Sequence, residues 1–212
     1  MVKQHPFLYE PTTSITDYII GLLGIYFGYK TLQIQSSIFH LLWAISFFSL
    51  SIGGFLGGTR HGLGPRFPAI FNNLVWRAAI LFVMLTAVLI TASVSTLFID
   101  RDWHSSILVI CISLVFYCIL RIKKNDSFRH VINFNLPLLV ISFFGFTAAF
   151  FILGYTGALF ILIGLSVSLV AARVQASGVA LHEHFNHNDL FHIIQMLGMV
   201  LMYRGGLEIP KI

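Results

Sequence analysis

Charged side chains are scarce in this chain of 212 residues, because only 10% of them are Asp, Glu, Lys or Arg. A soluble domain carries about 25% charged residues to hydrate its surface. The shortage excludes a water-soluble enzyme, and a hydrophobic content of 57% excludes a disordered protein. The net charge of +5 comes without a basic patch interleaved with aromatic residues, so no nucleic-acid partner is expected.

Cysteine is also rare. The two cysteines, Cys111 and Cys118, lie in one apolar run, at a spacing of about 10 Å of helix rise, which is too far for a disulfide bond. A disulfide-stapled secreted domain is therefore excluded. Long linkers, low-complexity tracts and obvious internal repeats are missing as well, which predicts a single domain over residues 1–212.

Long apolar runs are what the chain has instead. A helix needs about 20 apolar residues to cross roughly 30 Å of hydrocarbon. Seven such runs follow a polar leader of about residues 1–14, so we predict an all-α, polytopic membrane protein built as a seven-transmembrane helix bundle. The predicted spans are 15–34, 37–57, 74–98, 104–122, 131–152, 156–175 and 188–204.

The loops predict an orientation, since cytoplasmic loops are enriched in Lys and Arg. The end of the bundle that holds the N-terminus and the loops after spans 2, 4 and 6 carries about twice as many cations as the other end. We predict a cytoplasmic N-terminus and a C-terminus on the opposite side. The first group is Lys3, Arg60, Arg66, Arg121, Lys123, Lys124, Arg129 and Arg173, and the second is Lys30, Arg101, Arg204 and Lys211.

Unusual polar residues from five segments converge on the same, N-terminal end of the predicted bundle. Ionisable groups at membrane depth are costly and usually face an interior cavity. This convergence therefore predicts a functional site at that end. Its members are Glu10, Thr13 and Asp17, then His61, then Asn72, Asn73 and Arg77, then His130, Asn133 and Asn135, and finally His182, Glu183, His184, His187, Asn188, Asp189 and His192.

A short motif opens span 7, where Asn188 and His192 lie one turn apart and share a helix face. A carboxylate and an imidazole so placed could share a divalent metal, or Asp189 could orient His192 as an acid–base partner. Helix capping by Asn186 or Asn188 explains the motif without a ligand, but it leaves His192 unexplained one turn inside the helix. His187 qualifies as a ligand only if it precedes the helix.

The glycine-rich segment 57–62 places His61 at the mouth of the predicted site. It lacks the Gly-Lys-Ser/Thr ending of a phosphate loop, and its glycines suit close helix packing. Glu10 and Asp17 bring carboxylates to this end, either as part of a helix start or as partners of a cation. Arg77, one turn inside span 3, needs a carboxylate, for which we expect Asp17 or Asp189.

Seven spans, a His at the end of span 2 and an Asn-Asp-x-x-His motif on span 7 resemble the seven-transmembrane hydrolase superfamily. That group includes alkaline ceramidases, the progestin and adiponectin receptors with haemolysin III, and related lipid-remodelling proteins. The resemblance implies a zinc ion held in the bundle by three histidines and cleavage of amide or related bonds in lipids. It further implies a bacterial branch of the superfamily, in the inner membrane.

By position, His61 and His192 match the span-2 histidine and the second span-7 histidine of that superfamily. The sequence departs from the pattern at three points. Asn188 stands where the first span-7 histidine is expected, Gly57 stands where a serine is expected, and Asn72 and Asn73 replace an aspartate. Glu10 resembles the acidic cluster that precedes span 1 in ceramidases.

The leading hypothesis is a zinc-dependent hydrolase that acts on a lipid amide or ester and takes its substrate sideways from the bilayer. His61 and His192 would hold zinc, His187 or Asp189 would complete the protein ligands, and a bound water would be activated. Asp189, if it is not a ligand, or Glu10 would serve as base, and Arg77 would balance charge or stabilise an oxyanion. The alternatives are a receptor, sensor or proton-coupled transporter with a His/Asp/Arg ligand site, and a haem held by His61 and His192.

Overall fold

The computed structural model describes residues 7–34, 37–182 and 185–210, and it is 84% helical. Within those ranges there are seven α-helices, two short 3-10 turns at Gly64–Arg66 and Arg101–Trp103, and no β-strand. The all-α prediction is therefore confirmed. The helices are α1 (Pro11–Leu32), α2 (Ile38–Leu63), α3 (Ala69–Ser95), α4 (His104–Lys124), α5 (Phe128–Phe151), α6 (Gly157–Ser177) and α7 (His187–Glu208).

Each predicted apolar run corresponds to one helix, but several helices extend past the run. The largest difference is at α2, which we predicted to end at residue 57 and which continues to Leu63. The backbone hydrogen bonds of a helix do not depend on side-chain polarity, so the helix continues through polar residues that no hydropathy pattern includes. As a result, His61 lies on the helix itself.

Six helices, α2 to α7, are long and apolar enough to cross a membrane. This supports an integral membrane protein with a helical bundle, while the predicted count of seven spans is not confirmed. The helix outside that set is α1, whose 22 residues include Asp17, Lys30 and four hydroxyl side chains near its start. These polar residues lower the mean hydropathy of α1 relative to its neighbours.

The helices form a ring. Helix α1 packs on α2 and α7, α2 packs on α3, α3 on α5, α5 on α6, and α6 on α7. Helix α4 packs against α3 outside this ring, and only 11% of its most apolar stretch is buried within the protein. A ring of six helices can enclose a cavity, whereas α4 is placed to face lipid.

The two ends of the ring interior differ in chemistry. Near the start of α2, an aromatic cluster is fully packed: the rings of Phe39 and Trp43 stack at 5.5 Å, and Phe146 meets the indole edge-on at 5.6 Å. All three side chains are 1% exposed or less. Aromatic packing of this kind closes the bundle at that end. The polar residues from α1, α2 and α7 gather at the opposite end.

Candidate functional site

The start of α7 is held by a complete capping box. The side chain of Asn186 accepts a hydrogen bond from the backbone N–H of Asn188 at 2.7 Å, and the backbone N–H of Asn186 donates to Asp189 Oδ2 at 2.7 Å. This confirms Asn186 as the N-cap. The other carboxylate oxygen, Oδ1, accepts from the hydroxyl of Thr13 at 2.7 Å, which ties α1 to α7.

These bonds give Asp189 a structural role. Both of its carboxylate oxygens have partners inside the protein, and the residue is only 1% exposed. Asp189 caps α7 and links it to α1, and it is not among the residues that line the cavity described below. Its role as a metal ligand or base stays a prediction.

His192 lies one turn further along α7 and contacts two α1 side chains. Its Nε2 is 3.2 Å from Asp17 Oδ1, and its Nδ1 is 2.8 Å from the hydroxyl of Thr16. The imidazole and the carboxyl can share one proton, carried either on Nε2 or on the Asp17 carboxyl group. All three residues are buried. The sequence pattern placed Asp17 and His192 at one end of the bundle, but it did not pair them, and Thr16 was missed.

Gly57 makes room for this pair. A Cβ atom at position 57 would lie 3.0 Å from Asp17 Oδ2 and 3.3 Å from its Oδ1. The glycine that stands where the resembled superfamily has a serine therefore lets the carboxylate of α1 lie directly against α2. The next glycine contact along α2 is similar, because a Cβ at Gly54 would lie 2.8 Å from the backbone oxygen of Asp17.

His61 forms a second imidazole–carboxylate pair. Its Nδ1 lies 2.9 Å from Glu10 Oε2, just before the first turn of α1, with side-chain exposures of 22% and 49%. The hydrogen bond from His61 holds the pKa of Glu10 below its ordinary value. This bond uses Nδ1 and leaves Nε2 without a partner in the pair.

A cavity of about 330 Å³ lies inside the ring and is lined by both histidines. Asp17, His61, His187, Asn188 and His192 line its polar end. Asn135, which the sequence pattern placed at this end, lines it too. Amide and hydroxyl groups that the sequence pattern did not include line it as well: Ser46, Thr86, Ser168, Gln175 and Gln195. These residues lie singly within apolar helices, so only their inward direction distinguishes them from ordinary helix residues.

His187 and Asn188 reach the cavity from the first turn of α7. We predicted that His187 could be a ligand only if it preceded the helix, and it is the first residue of α7. The side chain of Asn188 lies 3.5 Å from the amide nitrogen of Gln175 on α6. Both residues therefore join the site as polar lining.

Arg77 and Asn73 do not join it. Arg77 donates from Nε to Asp126 Oδ2 at 2.9 Å, both side chains are at least 40% exposed, and neither residue lines the cavity. The predicted pairing of Arg77 with Asp17 or Asp189 is therefore wrong. Asn73 is exposed near the start of α3. Asn73 and Arg77 both lie on the side of α3 that is away from the ring. The sequence does not reveal which face of α3 is turned inward, because the positions of the neighbouring helices are unknown.

The fit of a zinc ion can be tested on the donors that are present. His61 and His192 each have Nδ1 bonded to a second group, as metal-bound histidines commonly do. Structural and catalytic zinc sites, however, use at least three protein ligands. Among the described residues, no group of three or more His, Cys, Asp and Glu side chains is placed to hold a metal ion. The observed arrangement does not fit the predicted zinc site.

The residues Glu183 and His184 of the predicted polar set lie outside the described part of the chain. His182, Asn133 and His130 are described, and none of them lines the cavity. His130 instead accepts a hydrogen bond from Arg121 at 3.2 Å, at the α4–α5 junction. The site is thus smaller than the sequence pattern predicted and is built chiefly by α1, α2 and α7.

Comparisons with known proteins complete the description. No curated protein and no solved structure matches the chain. One family model does match it, over residues 12–211, and its description is a family of unknown function, DUF6962. That range includes α1 from its second residue, the whole ring and nearly all residues of the site. The chain belongs to the DUF6962 family.

Proposed function

We propose that the protein is an integral membrane hydrolase that binds a lipid-like amphiphile inside the helix ring and cleaves an amide or ester bond in it. One observation carries the proposal: two imidazole–carboxylate pairs stand at one end of a cavity whose remaining walls are mostly apolar. Enclosed pockets with a few convergent polar groups are the usual sites of ligand binding and chemistry. The head of an amphiphile would contact the polar end of such a cavity, and its tail would contact the apolar walls.

The His61–Glu10 pair suits the role of general base. Glu10 accepts from Nδ1, which fixes the orientation of the ring and leaves Nε2 as the basic nitrogen. A carboxylate in this position also favours the positive charge that the imidazole gains when it takes a proton from water. His61 is the more accessible of the two histidines, which suits a residue that must reach a water molecule.

The His192–Asp17 pair suits the role of general acid. Its two groups lie 3.2 Å apart and can share a proton, which the Asp17 carboxyl, as part of the cavity wall, can release to the leaving amine or alkoxide. Thr16 holds the far nitrogen of the ring, and Gly57 keeps space beside the carboxylate. No step in this scheme requires a metal ion.

The test is hydrolysis by the purified protein in lipid nanodiscs, with a panel of acyl amides and esters and product detection by mass spectrometry. We expect His61→Gln and His192→Gln each to reduce turnover by about a hundredfold, the scale of general acid–base contributions. The matched control is His104→Gln, since His104 contacts the Ile99 carbonyl at the other end of the bundle. Turnover unaffected in both site variants would refute the proposal.

Metal content is measured on the same preparations. We expect turnover to survive chelator treatment, because the described donors do not assemble a zinc site. About one zinc per chain, lost in both histidine variants, would instead favour the zinc-dependent hydrolase that the resemblance implies.

A receptor or sensor is the second candidate. Asp17 and Thr16 contact the two ring nitrogens of His192. This ring therefore has no free nitrogen for a substrate, which favours a receptor or sensor. A ligand that separates Asp17 from His192 would then shift helix α1 relative to α7. Saturable binding of an amphiphile without any product, together with a ligand-dependent change in α1–α7 distance, would support this candidate over the hydrolase.

The proposed topology has seven spans, a cytoplasmic N-terminus and a site at the cytoplasmic end, in a bacterial inner membrane. Support for a seventh span comes from close packing along the length of α1, where a Cβ at Gly21, Gly24 or Gly28 would lie within 3.0 Å of α2 atoms. The loop cations support the orientation. Reporter fusions at the two termini test both points: a C-terminal alkaline phosphatase fusion should be active, and a C-terminal fluorescent protein fusion should be dark.

A further inference from the structure

The lining of the cavity extends along much of α2. Trp43 and His61 both line it and lie 18 residues apart on α2, which is about 27 Å of helix. Its volume of about 330 Å³ holds about eleven methylene-sized groups if each occupies about 30 Å³, the share of a small molecule such as water in a liquid. This is the size of one medium-length chain, and the two chains of a bilayer lipid exceed it.

Apolar side chains form the deep part of the wall. They come from every helix of the ring, so a chain placed there contacts apolar side chains from all six helices. Burial of this kind suits a hydrocarbon tail. The apolar residues of the wall include Ile20, Phe47, Leu50, Ile90, Leu139 and Met202.

The charges of the wall restrict the head group. Among the described residues that line the cavity, none is Lys or Arg, while Asp17 contributes a buried carboxylate. Phosphate and carboxylate groups are recognised by Arg and Lys, and an anion buried without them is strongly disfavoured. A head group with negative charge would lie beside Asp17, and the wall offers it histidines but no Lys or Arg.

Asn135 adds an independent indication. Its Oδ1 is buried without a hydrogen-bond partner in the described part of the chain, while its side-chain nitrogen donates to the Val83 carbonyl at 3.4 Å. Asn135 lies about two turns inside α5, and Asp17 and His192 lie at a similar depth in their own helices. A ligand whose head carries an N–H or O–H donor would satisfy this acceptor at the level of the Asp17–His192 pair.

We infer that the ligand of this cavity is a single-chain amphiphile of about twelve carbons whose head bears a hydrogen-bond donor and no negative charge, such as a primary amide. The inference rests on the proposed binding of an amphiphile and narrows it to one chemical class. Diacyl phospholipids, lysophospholipids and fatty-acid anions are outside that class, either because of their size or because of their charge.

The test uses native mass spectrometry of the purified protein with dodecanamide, dodecyl phosphate, dodecanoate and a diacyl phosphatidylcholine as probes. We expect one dodecanamide per chain, bound about tenfold more tightly than dodecyl phosphate or dodecanoate, because the wall offers the anions no fixed cation. In a series of amides, binding should rise up to about twelve carbons and then level off. Equal binding of the anionic probes, a preference for the diacyl lipid, or no binding of dodecanamide would overturn the inference.

Matched variants locate the bound chain. Leu139→Trp fills the cavity and should abolish dodecanamide binding, whereas Val140→Trp, on an exposed neighbouring position of α5, should leave it unchanged. If Leu139→Trp does not fold, as judged by gel filtration and thermal melting, Ala172→Phe fills the same cavity from α6. Binding retained in the folded cavity variants would also overturn the inference.

The two proposals fail in different ways. Dodecanamide that binds in the cavity but is never cleaved refutes the hydrolase and leaves the ligand class intact. Cleavage that is limited to diacyl or phosphate-bearing lipids refutes the ligand class and leaves the hydrolase intact.

Discussion

Replacement of Thr13 by Val tests the link that holds α1 against α7. Valine has nearly the shape of threonine but lacks the hydroxyl that donates to Asp189 Oδ1 at 2.7 Å, and both residues are 1% exposed. Hydrogen bonds to charged groups contribute about 1.5–3 kcal/mol, and the carboxylate oxygen left without its donor stays buried. We therefore expect Thr13→Val to lower the free energy of unfolding by about 2 kcal/mol.

The free energy is measured by unfolding in mixed micelles with increasing fractions of denaturing detergent. The control is Thr86→Val, because Thr86 is also buried and its hydroxyl donates to the Phe82 carbonyl of its own helix. That carbonyl keeps its helical bond, so the control should lose less than about 1 kcal/mol. Equal losses in the two variants would show that the α1–α7 hydrogen bond contributes nothing measurable.

Three further variants test the geometry around the site. Gly57→Ala should lower the free energy of unfolding by about 1–3 kcal/mol and weaken amphiphile binding, because the new Cβ displaces the Asp17 carboxylate; unchanged binding would contradict this. The pKa of Glu10 is lowered by His61, so the stability from this pair is complete above about pH 4.5 and is lost as pH falls through the lower folded-state pKa. Glu10→Gln should therefore flatten the acid side of a plot of melting temperature against pH, and an unchanged slope would contradict the pairing. Arg77→Gln should cost less than about 1 kcal/mol and leave turnover unchanged, because its ion pair is exposed and outside the cavity; a large loss of turnover would restore its predicted role.

The site depends on side chains that are separated widely along the chain. Glu10 and Asp17 come from the first helix region, His61 from the second helix and His192 from the last. Each pair is therefore a product of helix packing, and the carboxylates come from α1 and from the residue that precedes it. Any change that shifts α1 along α2 should alter both pairs together, which makes α1 the element on which the chemistry of the site depends.

Hydropathy was sufficient for the seven helices and poor at their ends. Apolar runs predict helices because the backbone must be satisfied internally in lipid. The same rule does not predict a helix that continues through Thr59, Arg60 and His61. There, water or side chains can form hydrogen bonds with the backbone N–H and C=O groups equally well. The capping residue Asn186 was predictable because its chemistry is local: the cap, the bonded N–H groups and Asp189 lie within four residues.

The sequence by itself determined the class of protein, the helices and the end of the bundle where the polar residues gather. Those properties follow from composition and from local periodicity, which need no knowledge of neighbours. Only the tertiary structure decided which polar residues face one another: His61 meets Glu10, His192 meets Asp17, and Arg77 turns outward to Asp126. The physical reason is that a side chain's partner is set by the rotation of each helix about its axis and by close approaches such as that at Gly57, which depend on the packing of the whole ring.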